Sequence, residues 1–223
     1  MSNLQQAIAI LAACATEARV EQLQRVLAER TRYVTVCLED IFQPQNASAV
    51  LRSCDAFGVQ DVHVVEQRNR FALYHDVALG SEKWLTLHRY GKQHKEPVSA
   101  AIANLRKSGY RLVATTPHEG SIPVDELDLK KGKVALMFGA EYTGLSSAAM
   151  SAADELVTVP MRGFVESLNL SVCAAVVLHL LSQKLRLQNI AWQLNSQEKD
   201  ELLLAWLKKS VRSSEKILQR NGF

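Results

Sequence analysis

Apolar residues along the chain keep two different rhythms, and the two alternate. Over residues 4–30 they recur at helical spacing, from Leu4, Ile8, Leu11 and Ala15 to Val20, Leu23, Val26 and Leu27. That stripe predicts one or two amphipathic helices. Short β-branched runs follow at 34–38, 61–65, 84–88, 110–115, 134–138 and 156–159, each predicting a strand. Between the runs, 47–57, 96–108 and 146–153 read as helices, and 169–187 as a longer one. Such alternation predicts an α/β fold, a mostly parallel sheet with helices on both faces. From Ser196 onward the pattern is helical again, with Leu202, Leu203, Trp206 and Leu207 apolar. The expected organisation is an N-terminal helical extension (1–32), a central α/β domain (33–188) and a C-terminal helical extension (189–223).

Composition sharpens this picture only a little. A chain of 223 residues, 48% hydrophobic and 22% charged, fits one globular α/β domain with helical additions. No apolar stretch approaches the roughly 20 residues expected of a membrane span. The run 7–15 contains Leu11-Ala12-Ala13-Cys14, which looks like a lipoprotein cleavage box. A secretory signal needs a positive start, and the first six residues carry no Lys or Arg, so a buried helix is expected instead. Four cysteines without a CxxC pair suit reduced thiols in a cytoplasmic protein. Six scattered histidines and no HExxH predict no metal site.

A net charge of +3 does not by itself announce nucleic acid. Basic residues do gather near the N-terminus (Arg19, Arg25, Arg30), at Lys184 and Arg186, and near the C-terminus (Lys208, Lys209). These are either solvated helix faces or an RNA-phosphate surface built from both ends of the chain.

Ligands of parallel sheets bind at loops leaving the carboxyl ends of strands, and three such loops have unusual composition. In the first, Pro44 stiffens the approach, Asn46 is a natural N-cap, and Arg52 follows on a largely apolar helix where a charge needs a partner. In the second, a strand runs into Gly139-Ala140-Glu141, and Gly139 lets the backbone come close to a ligand. In the third, a long polar loop after Val159 and Pro160 leads to Ser167 and Asn169 at a helix start. Each segment alone could be an ordinary βα turn. No GxG, P-loop or GxSxG sequence occurs, so the common nucleotide loops and the serine-hydrolase elbow are not supported.

Taken in order, these segments resemble the three motifs of the SpoU/TrmH branch of the SPOUT methyltransferases, with 44–58, 134–144 and 159–171 as the matching stretches. The resemblance covers most of 33–188 and implies a C-terminal deep trefoil knot, an exception to the usual rule against knots. It implies S-adenosylmethionine as cofactor, bound by Thr115, Gly139, Val159 and Leu168, and no metal. Asn46, Arg52, Glu141, Ser167 and Asn169 match the family's catalytic and substrate-placing positions. Gln43 and Glu166 depart from it, standing where a basic residue and a glutamine are common. The implied activity is methylation of an RNA ribose 2′-hydroxyl by a homodimer with its active site at the subunit interface. Helices at both ends, with Thr16-Glu17-Ala18-Arg19 opening the second part of the first, look most like the members that modify guanosine 18 of tRNA. Other tRNA positions, rRNA, a non-catalytic knotted RNA-binding protein and a nucleotide enzyme without RNA remain as alternatives. On the implied chemistry, Arg52 serves as a fixed positive charge for the developing alkoxide, because a guanidinium keeps its proton above pH 12.

Overall fold

The computed structural model describes residues 2–117 and 120–223. In chain order it contains α1 (Asn3–Ala13), α2 (Glu17–Ala28), β1 (Val34–Glu39), α3 (Pro44–Ala56), β2 (Asp61–Val65), α4 (His75–Ala78), β3 (Thr86–Tyr90) and α5 (Pro97–Lys107). Then come β4 (Arg111–Thr115), β5 (Ile122–Pro123), β6 (Val134–Phe138), α6 (Ser147–Ala152), β7 (Glu155–Thr158), α7 (Leu170–Leu187), α8 (Ser196–Ser210) and α9 (Ser214–Arg220). The chain divides into two compact units, Arg32–Trp192 and a second made of Met1–Thr31 with Gln193–Phe223.

The larger unit is built on a seven-stranded sheet of order β3-β2-β1-β6-β4-β7-β5. Every strand pairing in it is parallel. Alternation along the strands sorts side chains to two cores. Val34, Val36 and Leu38 of β1, with Leu136 and Phe138 of β6, pack against Val50 and Leu51 of α3 and Val177 and Leu181 of α7. On the other face, Cys37, Leu112, Ala114 and Met137 pack against Val98, Ala101 and Leu105 of α5 and Ala149 of α6. Helices therefore cover both faces. Toward the β3 edge the second face also carries a polar file: Asp61 and His63 on β2 beside His88 and Tyr90 on β3. The His63 and His88 rings stack at 4.5 Å, and His63 Nδ1 lies 2.9 Å from the Tyr90 hydroxyl.

Two elements differ from expectation. Strand β3 begins at Thr86 rather than at 84, because the Trp84 amide closes a 3-10 turn onto the Ser81 carbonyl. Strand β5 is only two residues long, too short for any periodicity. Helix α7 also corrects the expectation about membrane spans. Its 18 residues, with a mean hydropathy of 1.4, are long and apolar enough by composition. Its buried face, which includes Ala174, Val177, Leu178, Leu181 and Leu185, belongs to the sheet core.

The smaller unit is helical. Thr16 accepts a hydrogen bond from the Arg19 amide and so starts α2, splitting the 4–30 stripe in two. Ala7 and Leu11 of α1 and Leu23 and Leu27 of α2 are buried with Leu202, Leu203, Trp206 and Leu207 of α8. The 7–15 run is accordingly mostly helix, and its Cys14 is exposed at the cap. An antiparallel bridge from Thr31 to Gln193 joins the two chain segments of this unit.

Candidate active site

The strand order reverses around β6, which lies between β1 and β4, and the loops leaving these strands diverge there. At the carboxyl ends of β4, β6 and β7 lies a cavity of about 610 Å³, a size usual for a small-molecule site. Asn46, Glu141, Ser167 and Asn169 line it, as do Thr115, Gly139, Val159 and Leu168. Sequence reasoning passed over other lining residues, among them Thr116, Leu145, Met161 and Cys173. Burial raises the thiol pKa of Cys173.

A hydrogen-bonded cluster ties the three loops together. Asn46 donates from Nδ2 to Glu141 Oε1 at 2.8 Å and to Gln43 Oε1 at 3.1 Å. Its Oδ1 accepts from Asn169 Nδ2 at 3.2 Å. Glu141 also receives the backbone amides of Phe42 and Gln43, at 3.1 and 3.3 Å. Burial alone would raise the pKa of Glu141, but the Asn46 amide and these backbone donors outweigh it and hold the carboxyl below its ordinary value. The site thus contains a fixed negative charge with most of its acceptor capacity used.

Several expectations about individual residues need correction. Asn46 is not an N-cap. Gln43 occupies that position, Pro44 takes the first helical turn, and Asn46 lies inside the helix, its side chain only 6% exposed. Asn169 does cap α7, its Oδ1 accepting from the Ser171 amide at 2.9 Å. Gly139, which lines the cavity, is required already by the chain itself: a Cβ there would overlap the Gly144 carbonyl and the Leu145 nitrogen. That crowding arises because Ala140 and Gly144 bond to each other across a tight turn.

Arg52 is the largest departure. It is exposed, does not line the cavity, and makes no hydrogen bond or ion pair among the described residues. Helical phase explains this. At about 100° per residue, six residues carry Arg52 about 120° around α3 from Asn46. Its neighbour one turn back is Ser48, which accepts the Tyr74 amide at 2.7 Å. The partner that its charge was expected to need is not supplied among the described residues.

The basic residues expected at an RNA surface also separate. Arg30 is 1% exposed with its guanidinium 5.3 Å from the Trp206 ring centroid, so it cannot reach a phosphate. Lys184 is half-buried and donates to the Asp125 and Leu127 carbonyls, each at 2.7 Å. Arg186 lies over Trp192, with 4.9 Å between guanidinium and ring. Arg19 bonds Gln22 and Ser210, whereas Arg25, Lys208 and Lys209 are exposed. Among the described residues, no cluster of His, Cys, Asp and Glu could hold a metal ion.

Comparison with known proteins follows the same motifs. The model of the SpoU rRNA methylase family matches residues 33–179. A tRNA (guanosine(18)-2'-O)-methyltransferase of Borreliella burgdorferi is 40% identical over 206 residues, covering 92% of each chain. The TrmH/SpoU tRNA modifying enzyme of A. aeolicus matches with a TM-score of 0.76 at 26% identity, covering 87% of this chain and 98% of that one. An AdoMet-bound rRNA methyltransferase from Sinorhizobium meliloti matches with a TM-score of 0.61 at 25% identity, over 74% of this chain and 60% of that one. A family match that runs through all three cavity loops leaves one conclusion: the chain belongs to the SpoU rRNA methylase family.

Proposed function

We propose that the protein transfers a methyl group from S-adenosylmethionine to a ribose 2′-hydroxyl of tRNA, at guanosine 18. The observation that carries this reading is the bonded cluster of Asn46, Glu141 and Asn169, which joins three loops around one cavity. The 40% identical relative carries that activity in its name, and the Sinorhizobium meliloti structure is described as AdoMet-bound. The cavity suits such a cofactor. Apolar Leu145, Val159 and Val177 offer contact to an adenine ring, while Thr115, Thr116 and Ser167 offer polar groups to a ribose and an amino-acid tail. A deep trefoil knot in the C-terminal half, a cytoplasmic location and a metal-free site belong to the same proposal.

S-adenosylmethionine, when bound, supplies a sulfonium methyl group whose leaving thioether is neutral, so no acid is needed at the leaving atom. What remains for the protein is to align the hydroxyl and to stabilise negative charge on its oxygen. Asn46, held by Glu141 on one side and Asn169 on the other, keeps the first-motif loop in register with the other two. Ser167 and Asn169 fix the third loop at the start of α7. Arg52 is the positive charge for the ribose oxygen. Because it stands away from the cavity of its own chain, the proposal places it in the active site of a second copy, in a homodimer whose sites lie at the interface. The apolar side chains of Phe42 (61% exposed), Tyr142 (85%) and Phe164 (108%) suit a face covered by that copy. Arg25, Lys208 and Lys209 remain as phosphate contacts.

Incubation with labelled S-adenosylmethionine and total tRNA tests the function, followed by nuclease mapping of the labelled ribose. Label at guanosine 18 is the expected result. Cofactor binding with no transfer to any RNA would overturn the enzyme assignment.

A further inference from the structure

The loop that leaves β2 lies at the same end of the sheet as the cavity, and two carboxylates hold it. Asp40 has a left-handed backbone, φ 58°, which a non-glycine residue adopts only at a cost. From there its Oδ1 accepts three successive amides, those of Gln67, Arg68 and Asn69, at 3.1, 2.8 and 2.8 Å. Asn69 Nδ2 returns a bond to the Asp40 carbonyl at 2.8 Å. At the far end Glu66 accepts the Phe71 amide at 2.9 Å and a two-pronged contact from Arg89, at 3.0 and 3.2 Å. Phe71 itself is buried. Phe71 and the partly buried Leu73 pack on the core, whereas residues 67–70 between the clamps are held by these bonds and not by core packing.

Between the clamps the loop presents Arg68 and Arg70, both exposed. Arg68 makes no side-chain bond or ion pair among the described residues. Arg70 lies near Glu66, but that carboxylate is already engaged by Arg89 and the Phe71 amide. Asp40 stands three residues before Gln43, which lines the cavity, so the arginine loop is tied to the stretch of chain that leads into the site. We propose that Arg68 and Arg70 form a preset contact for the phosphodiester backbone of the RNA whose ribose enters the cavity. Ordering the loop in advance removes the entropy cost of ordering it on binding, and a guanidinium fork matches phosphate oxygens. The inference rests on the methyl-transfer reading and adds a substrate contact to it.

Fluorescence anisotropy with labelled tRNA across a salt series decides it. Arg68→Ala/Arg70→Ala should bind tRNA about fivefold or more weakly near 0.1 M salt, and its log–log salt slope should fall by about 1.4–1.8, the value for two lost phosphate contacts. Arg68→Lys/Arg70→Lys, which keeps both charges, should retain the wild-type slope. Asp40→Ala should weaken binding too, yet cost almost nothing further in the Arg68→Ala/Arg70→Ala background, because it acts through those side chains. Both arginines are exposed, so the double variant should melt like wild type. An unchanged affinity and slope in it would overturn the proposal, as would a wild-type protein that does not bind tRNA. A protein that binds tRNA but transfers no methyl group would defeat the enzyme assignment, and the slope comparison would still decide the loop.

Discussion

Asn46 and Arg52 stand on one helix, six residues apart, in opposite surroundings. Asn46 is 6% exposed, and its side chain is bonded to Gln43, Glu141 and Asn169. Arg52 is exposed and makes no bond or ion pair among the described residues. A polar group that is nearly buried must be paired to be tolerated, so Asn46 is explained within its own chain. An exposed arginine costs nothing to leave free, so nothing within its own chain assigns Arg52 a role, and the proposal gives it to a second copy. The two ends of a single sequence motif thus stand in different surroundings, and each half can be broken separately.

The largest effect is expected at Arg52. Arg52→Ala and Arg52→Lys should each lower single-turnover methyl transfer by about 10²–10³-fold, since lysine lacks the planar fork, with S-adenosylmethionine affinity little changed. Mixing Arg52→Ala with Glu141→Ala then sharpens the comparison. If Arg52 serves the other copy's cavity, each mixed dimer contains one intact site, and random reassociation should restore roughly a quarter of wild-type activity. If Arg52 served its own cavity, the mixture would stay inactive, and the interface proposal would fall.

A pH series gives the next effect, and it acts through stability rather than turnover. Burial, aided by the neighbouring His88, pushes the His63 pKa down to about 4 from an ordinary 6.5. The folded protein thus binds the proton less readily than the unfolded chain. The His63 contribution is fully present above pH 6.5, shrinks as pH falls toward 4, and changes no further below that. At 1.36 kcal/mol per pKa unit the loss is about 3 kcal/mol. Urea unfolding of wild type and His63→Phe at pH 7.5 and 4.5 measures it, and an equally steep fall in both would exclude His63 as the cause. Transfer rates on the remaining folded protein should not follow this titration, because His63 does not line the cavity.

Glu141→Gln probes the bonded half of the comparison. The variant turns a donor group toward the Asn46 amide or the Phe42 and Gln43 amides. It should lose about 1–3 kcal/mol of stability, the usual cost of an unsatisfied buried polar group. Cofactor affinity should fall with it while tRNA affinity stays near wild type, which titration calorimetry can separate. A variant as stable as wild type would mean that the cluster does not hold the loops. Smallest of all should be Lys184→Met, a few tenths of a kcal/mol in stability and no change in tRNA affinity, because the ammonium serves the Asp125 and Leu127 carbonyls rather than a phosphate.

Much of this was legible along the chain. Strands β2 and β6 lie at 61–65 and 134–138 as the β-branched runs predict, and eight of the nine expected catalytic and cofactor positions line one cavity. Periodicity and loop composition depend on near neighbours in sequence, which is why they could be read. Arg30 and Arg25 show the limit. Both appear as helix charges, yet Arg30 is buried against Trp206, 176 positions further on in the numbering (206 − 30), and only the folded helical unit decides that.

The sequence by itself determined the alternation of strands and helices, the three loops that carry the chemistry and the family to which the chain belongs. Tertiary structure alone decided that Gly139 answers to the Gly144–Leu145 backbone, that Asp40 holds a loop 27 residues away at Gln67, and that Arg52 faces away from its own cavity. Each of these depends on the direction of one side chain relative to residues distant in sequence. Packing fixes such directions, and a local pattern contains no term for them.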